Sequence, residues 1–365
     1  MSEIKVNSIK GVGASTAAIT VNNTDGTCTA NITNNLSNRN LIINGAMQVA
    51  QRGTSSTTND GYFTVDRMYF YNGAVDENCT TSQSSVSSGT TPYTLGFRKA
   101  FRVQNGNQTS GAGAGDEVLV RYKFEAQDID SSGWNYKSSS SFITLSYWVK
   151  SSVAQNFYVN LKTSDGTAYN YVTETGSLTA DTWTKVTKTI PGDSNLTFDD
   201  NNGEGLFLQF NIFKGTNDTG TRPLNAWAAY SSSSRVPDMT STWYTTNDAT
   251  FEITGLQLEV GSVATDFEHR SFEEEEHRCF RYYQNFDNSI VYAGFSDGNT
   301  SSRLSLNFQY MRATRDIPSI SYNNQTTGSA IAARYTKKMA GIVVNTTNSR
   351  GGTGYITDIL IDSEL

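Results

Sequence analysis

The chain has 365 residues and a net charge of −7, with 36% hydrophobic residues but 12% aromatics. That length implies two or three folded units. The acidity and the absence of a Lys/Arg cluster exclude ordinary nucleic-acid binding and disfavour anionic partners generally, while so many rings set the chain apart from disordered sequences.

The hydrophobic deficit is aliphatic, and Ser, Thr, Asn and Gly fill it. Thr, Tyr, Phe and Val suit pleated strands; Asn, Gly and Ser suit the turns between them. No secretory leader opens the sequence and no apolar run approaches the ~20 residues of a membrane span. Production in a cytoplasm without membrane insertion is expected. Cys28, Cys79 and Cys279 are odd in number and far apart, which fits free thiols rather than a disulfide framework or a zinc site.

Residues 1–40 hold few large apolar side chains and cannot build a core alone. Short alternations such as Ala18-Ile19-Thr20-Val21 suit strands paired with other chains. This segment reads as an attachment or stalk segment.

From 41 to 270 strand signals come steadily. They include Phe142 to Lys150, Phe157 to Lys162, Thr167 to Thr173, Trp183 to Ile190, Leu206 to Phe213 and Phe251 to Val260. Ser164-Asp165-Gly166 between two of them is a hairpin signal. Trp148 and Trp183 fall inside strands and read as core. Strands of this length, with turns between and no helical stretch, indicate a two-sheet β-sandwich.

Residues 271–284 change period. Ser271 and Glu274 have capping-box spacing, and Glu273 to Glu276 precede Arg278 and Arg281 as the helix dipole favours. Phe272, Cys279, Phe280 and Tyr283 fall on one face, so a short connecting helix is predicted. A helix of that length is marginal alone, and packing three around an axis predicts a homotrimer. Residues 285–365 return to strands, from Ser289 to Phe295 through Tyr355 to Ile361, as a smaller C-terminal β domain.

Catalytic chemistry is not marked anywhere. His269 and His277 are eight apart, beyond a helical i,i+4 metal pair, and HExxH and GxSxG are absent. Gly111 to Gly115 precedes a strand, whereas a phosphate loop lies between a strand and a helix. Asp199 to Glu204 is oxygen-rich enough to offer a structural calcium ion ligands, but it fails the EF-hand spacing and Asn202-Gly203 reads more simply as a turn. Nothing singles out a glycosidase pair among 35 acidic residues. No catalytic residue, metal or cofactor is assigned.

Asn40 to Gly53 followed by Tyr62 to Arg67 resembles the opening of many phage tail-fibre and virion-fibre domains. Ile253 to Glu268 resembles their closing strand, and Glu273 to Tyr283 the segment after it. Met1 to Lys10 resembles fibre starts from phages of marine bacteria. Asn307 to Thr314 resembles a stretch of family tips, but Arg315-Asp316 intervene before Ile317-Pro318 and no proline precedes Met311. The resemblance covers roughly 40–285. It implies a jelly-roll sandwich similar to carbohydrate-binding modules, in a trimeric fibre on the exterior of a phage particle.

On that resemblance the expected architecture is all-β: a 1–40 virion-attachment segment, a 41–270 jelly-roll domain, a 271–284 connecting helix and a 285–365 tip. The expected function is attachment to other virion proteins by the N-terminus and binding of a bacterial surface glycan, without enzymatic activity. The alternative is a structural capsid or neck fibre or a decoration protein, with a polysaccharide-degrading tailspike behind it. Aromatic rings offer flat apolar area to sugar C–H faces. The candidates are therefore Trp134, Tyr136, Trp227, Tyr230, Trp243 and Tyr244 in loop-like sequence, with Tyr310, Tyr322 and Tyr335 in the C-terminal domain. Asn44, Gly45, Arg52, Gly53, Asp66 and Arg67 read as framework, with Asp66 and Arg67 as an ion pair.

Overall fold

The computed structural model describes residues 38–286 without a break. It also describes 8–10, 12, 19–21, 24 and 28–30, and towards the C-terminus 290–293, 301–307, 319–324, 331–336, 339–345 and 353–364. Among the described residues no helix is long and apolar enough to cross a membrane.

Three short N-terminal strands, β1 (Ser8–Ile9), β2 (Ile19–Val21) and β3 (Cys28–Ala30), pair antiparallel with one another inside the chain. The body is a sandwich of two antiparallel sheets. It contains β4 (Ser55–Ser56), β5 (Asp60–Gly61), β6 (Tyr69–Gly73), β7 (Thr80–Ser85), β8 (Lys99–Gln104) and β9 (Glu117–Glu125). It continues with β10 (Phe142–Ser151), β11 (Tyr158–Thr163), β12 (Tyr169–Glu174), β13 (Thr184–Pro191), β14 (Glu204–Lys214), β15 (Trp227–Ala229) and β16 (Thr250–Val260). One sheet has the order β13-β10-β16-β8-β7-β4, the other β15-β12-β11-β14-β9-β6-β5. The fold is the expected all-β jelly-roll sandwich. Two short helices interrupt it, α1 (Thr91–Thr94) and α2 (Ala126–Asp130).

Period-two alternation explains the core. Ile143, Leu145, Tyr147 and Val149 of β10 face Leu206, Leu208, Phe210 and Ile212 of β14, all buried in one cluster. Tyr147 meets Phe210 edge-on across the layer, with centroids 5.0 Å apart at 88°. Such a ring pair adds about 0.5–1.5 kcal/mol beyond its buried area. Gly45 presses on β16: a Cβ there would come within 2.1 Å of the Leu256 carbonyl oxygen, so only glycine fits the turn.

Helix α3 (Phe272–Cys279) is shorter than the predicted 271–284. Its cap is as expected, with Ser271 Oγ accepting from Glu274 N at 3.2 Å. Its apolar stripe, however, is not left for partner chains. Cys279 is buried within its own chain, and Tyr283 is also buried and belongs to the next strand; Phe280 is half-buried and Phe272 alone of the four stays exposed. The reason is that α3 docks back on the sandwich, where Arg270 Nη1 and Nη2 donate to the Ile42 and Asn40 carbonyls.

Beyond α3, β23 (Thr353–Asp362) pairs with β17 (Tyr283–Phe286), β18 (Ile290–Ala293) and β20 (Ser319–Asn324). A second sheet joins β19 (Ser301–Asn307), β22 (Met339–Asn345) and β21 (Ile331–Thr336).

Residues 362–364 then return to the sandwich. Arg67 is buried and pairs with Glu364, its guanidinium 3.4 Å from the Tyr282 ring centroid. Arg52 lies 3.6 Å from the Tyr283 centroid and pairs with Asp362 at 3.0 Å and Glu364 at 3.4 Å. The expected Asp66–Arg67 ion pair is therefore corrected. Asp66 accepts from the Gln51 backbone and side chain, while Arg67, at φ 70°, turns away to Glu364 and the Lys123 carbonyl. Both residues lie in a turn, and the left-handed backbone at Arg67 sends each side chain to its own partner. The motif residues that carried the resemblance thus build the joint between sandwich and C-terminal region.

Candidate functional site

The outer face of the seven-stranded sheet carries alternating rings and cations. Register places Tyr69 opposite Arg121, and Phe207 opposite both Lys123 and Lys162. Arg121 lies 5.4 Å from the Tyr69 ring centroid and 4.4 Å from that of Phe207. Lys123 Nζ is 5.0 Å from Tyr69; Lys162 Nζ is 5.1 Å from Phe207 and 4.8 Å from Tyr230. Tyr62 extends the row, edge-on to Tyr69 at 5.5 Å. From β6 to β15 the row crosses five strand spacings, about 24 Å.

These side chains are held in place. Arg121 donates through Nε and Nη2 to Gln209 Oε1 at 3.0 and 2.7 Å. Gln209 Nε2 donates to Asn211 Oδ1 (2.6 Å), Asn211 Nδ2 to Asn160 Oδ1 (2.8 Å), Asn160 Nδ2 to Asn170 Oδ1 (2.9 Å) and Asn170 Nδ2 to the Arg235 carbonyl (2.8 Å). All four amides are buried, and a satisfied polar chain of this kind fixes rotamers. Burial pulls the Lys123 and Lys162 ammonium pKa values down from their ordinary value, against the opposing pull of Glu204. Tyr69 is pushed up by burial and by its hydrogen bond to Asp60. Phe207 is buried beneath its cations, whereas Tyr62, Tyr69 and Tyr230 are half-buried, and rings of that kind beside half-buried donors can hold a sugar through its C–H face and its polar edge together.

The opposite sheet offers a smaller cleft of about 240 Å³, lined by Phe97, Ser146, Trp148, Lys185, Phe267 and His269 among others. Trp148 and Trp183, expected in the core, are half-buried on this outer face. Tyr147 and Val149 take the inward positions of β10, so Trp148 between them points out. Gly255, at φ 61°, leaves room for the Phe97 ring on this side; a Cβ would come within 2.6 Å of it.

The sequence candidates divide sharply. Trp134, Trp243 and Tyr244 are buried and present no surface to a ligand. Trp243 is fully buried with its backbone N–H bonded to Gln155, and Tyr244 stacks on Phe213 at 4.3 Å. Polar neighbours made these segments read as loops, yet the turn at 241–249 closes one end of the core. Trp227 is half-buried, packs on Tyr171 at 5.3 Å and donates Nε1 to the Pro191 carbonyl at 2.7 Å. Tyr136 is half-buried against Phe198, with its hydroxyl on Asp130. Tyr230 stands in the ring–cation row, with Lys162 Nζ 4.8 Å from its centroid. Tyr310 lies outside the described residues; Tyr322 and Tyr335 lie in β20 and β21. The row members missed in the sequence carried one signal, outward positions in strands whose neighbours are core.

Among the described residues no group of three His, Cys, Asp or Glu side chains is gathered as for a metal. In the 199–204 segment Asn201 closes a turn on Gly203 N, and Glu204 pairs with Lys123 at 3.4 Å. Cys79 and Cys279 are buried free thiols, and burial pushes Cys79 up to about 12.

No family model and no curated protein matches the chain. Among solved structures, the enzymatically active domain of bacteriophage CBA120 tailspike protein 4 aligns at 10% identity and a TM-score of 0.33, over 61% of this chain and 21% of that one. A putative sugar-binding protein from Bacteroides thetaiotaomicron aligns at 10% and 0.33, over 61% and 100%. The N-terminal cellulose-binding domain of Cellulomonas fimi β-1,4-glucanase C aligns at 11% and 0.28, over 59% and 99%. With TM-scores this low, none of them bears on what this chain binds.

Proposed function

We propose that this chain is a non-catalytic fibre protein on the exterior of a phage particle, attached through its N-terminal segment and binding a host-cell surface glycan. The observation that carries the binding half is the ring–cation row from Tyr69 to Tyr230, braced on the same face by buried amides. The fibre half rests on the motifs at 40–67 and 253–283. A homotrimer on the virion completes this reading.

A structural fibre without receptor binding is the second reading. It is favoured by one observation: the residues that resemble fibre domains, Arg52 and Arg67 among them, are spent on internal joints.

The test is binding of fluorescent full-length protein to cells that the phage infects, before and after periodate oxidation of their glycans. Binding lost on oxidation supports the glycan reading; no binding, or binding indifferent to oxidation, returns the protein to the structural one. A fragment ending at Arg270 is a poor control, because it strips Arg52 and Arg67 of the partners that bury them.

A further inference from the structure

We infer that a cavity at one end of the sandwich is a second binding site, for a single sugar residue that carries no acidic group. This rests on the glycan-binding reading only for the source of the sugar. The cavity measures about 270 Å³ and lies between residues 154–158, the turn at Ser177 and residues 238–242. That is below the roughly 300 Å³ at which pockets begin to take drug-sized ligands, so it fits one ring rather than a run of polymer. Tyr158 shares the outward face of β11 with Lys162 of the ring–cation row, four residues or about 13 Å away. The cavity is therefore separate from the row.

Gln155, in the cavity lining, is the residue that points to a ligand. It is 7% exposed, and its Oε1 accepts the Trp243 backbone N–H at 2.9 Å. Its Nε2 is buried with no hydrogen-bond partner among the described residues. Turning the amide over would set its NH2 group against that N–H, donor to donor, so the orientation is fixed. A buried donor left unmet costs free energy that an acceptor entering the cavity recovers.

The rest of the lining chooses the ligand. Asp238 is exposed and accepts from the Thr219 hydroxyl at 2.8 Å; no other hydrogen bond or ion pair engages it among the described residues. Glu174 stands beside the cavity, where it accepts from Asn156 Nδ2 at 3.0 Å. No Lys or Arg lines the cavity. Two carboxylates without a cation repel an acidic ligand. A simple ammonium suits the carboxylates but brings no acceptor for Gln155. Sugar hydroxyls both donate and accept, so one molecule meets Asp238 and Gln155 together. The half-buried Tyr158 and Met239 offer apolar area to its C–H face.

The experiment is saturation-transfer NMR on the full chain, titrated with the methyl glycosides of glucose, galactose and N-acetylglucosamine and with methyl glucuronide. The periodate cell assay runs in parallel. Transfer to at least one of the three uncharged glycosides is expected, with glucuronide at least tenfold weaker. Asp238→Asn keeps an acceptor for Thr219 and should lose about tenfold in affinity. Tyr158→Ala should lose as much, and Glu273→Gln, at an exposed carboxylate on α3, should change nothing. Gln155→Glu keeps the acceptor for Trp243, removes the donor and should abolish binding. Circular dichroism shows which variants fold; if Gln155→Glu does not, Asp238→Asn decides, since its position is exposed. No transfer to any uncharged glycoside, equal binding of glucuronide, or unchanged affinity in Asp238→Asn overturns the inference. If periodate-sensitive cell binding persists in those cases, the glycan reading stands and this cavity drops out of it. If cell binding is absent while glycoside binding follows Asp238, the cavity stands and the host-glycan reading falls.

Discussion

Nε and Nη2 of Arg121 converge on one acceptor, Oε1 of Gln209, at 3.0 and 2.7 Å. The guanidinium is thereby held across the Phe207 ring without being neutralised. Gln209→Glu should fold, since it keeps the acceptor, but should cost about 1 kcal/mol through the lost donor to Asn211. It should also quench the positive charge and reduce binding to cells that the phage infects about tenfold. Unchanged binding in the fluorescent cell assay would remove Arg121 from the site.

The joint to residues 362–364 should show strong coupling. Arg67 is 1% exposed, and breaking a buried pair typically costs 3–5 kcal/mol. Arg67→Met and Glu364→Gln should each lower the midpoint in urea, and the double variant should lose much less than their sum. Additive losses would mean that the pair contributes no coupling.

Burial raises the Asp66 carboxyl from 3.8 to about 6, against Arg52 and Gln51. A raised folded pKa contributes stability that is present below about pH 4 and is lost as pH rises through about 6. Relative to Asp66→Asn, the wild type should gain up to about 3 kcal/mol between pH 7 and pH 4. A difference independent of pH in calorimetric scans would refute the assignment.

Trp243→Ala should cost about 3–5 kcal/mol, as expected for a fully buried ring. Trp183→Ala, on the half-buried outer face, should cost about 1 kcal/mol or less. Reversed sizes in denaturant unfolding would contradict the placement of both.

Native mass should be that of three chains of 40.0 kDa each. Light scattering at micromolar concentration decides it, and a single-chain mass would end the trimer proposal.

Strand identity was legible because β10, β14 and β16 alternate clearly and end in recognisable turns. Facing was misread in one case. In Phe142 to Lys150 the apolar Ile143, Leu145 and Val149 set Tyr147 inward and Trp148 outward, so reading Trp148 as core rested on its place in a strand and not on the alternation. The cation–ring row was invisible, since its members run from position 69 to position 230 and meet only through the strand order β6-β9-β14-β11. Trp243 and Tyr244 misled because burial there comes from distant residues, Gln155 and Phe213, rather than from their polar neighbours.

The return of Glu364 to Arg67 also bears on biosynthesis. An arginine near the start of the sandwich stays without its counter-ion until residue 364 has left the ribosome. A chain that stops early leaves Arg52 and Arg67 side by side without either of the carboxylates that pair with them. The joint is thus complete only in a polypeptide translated at least that far.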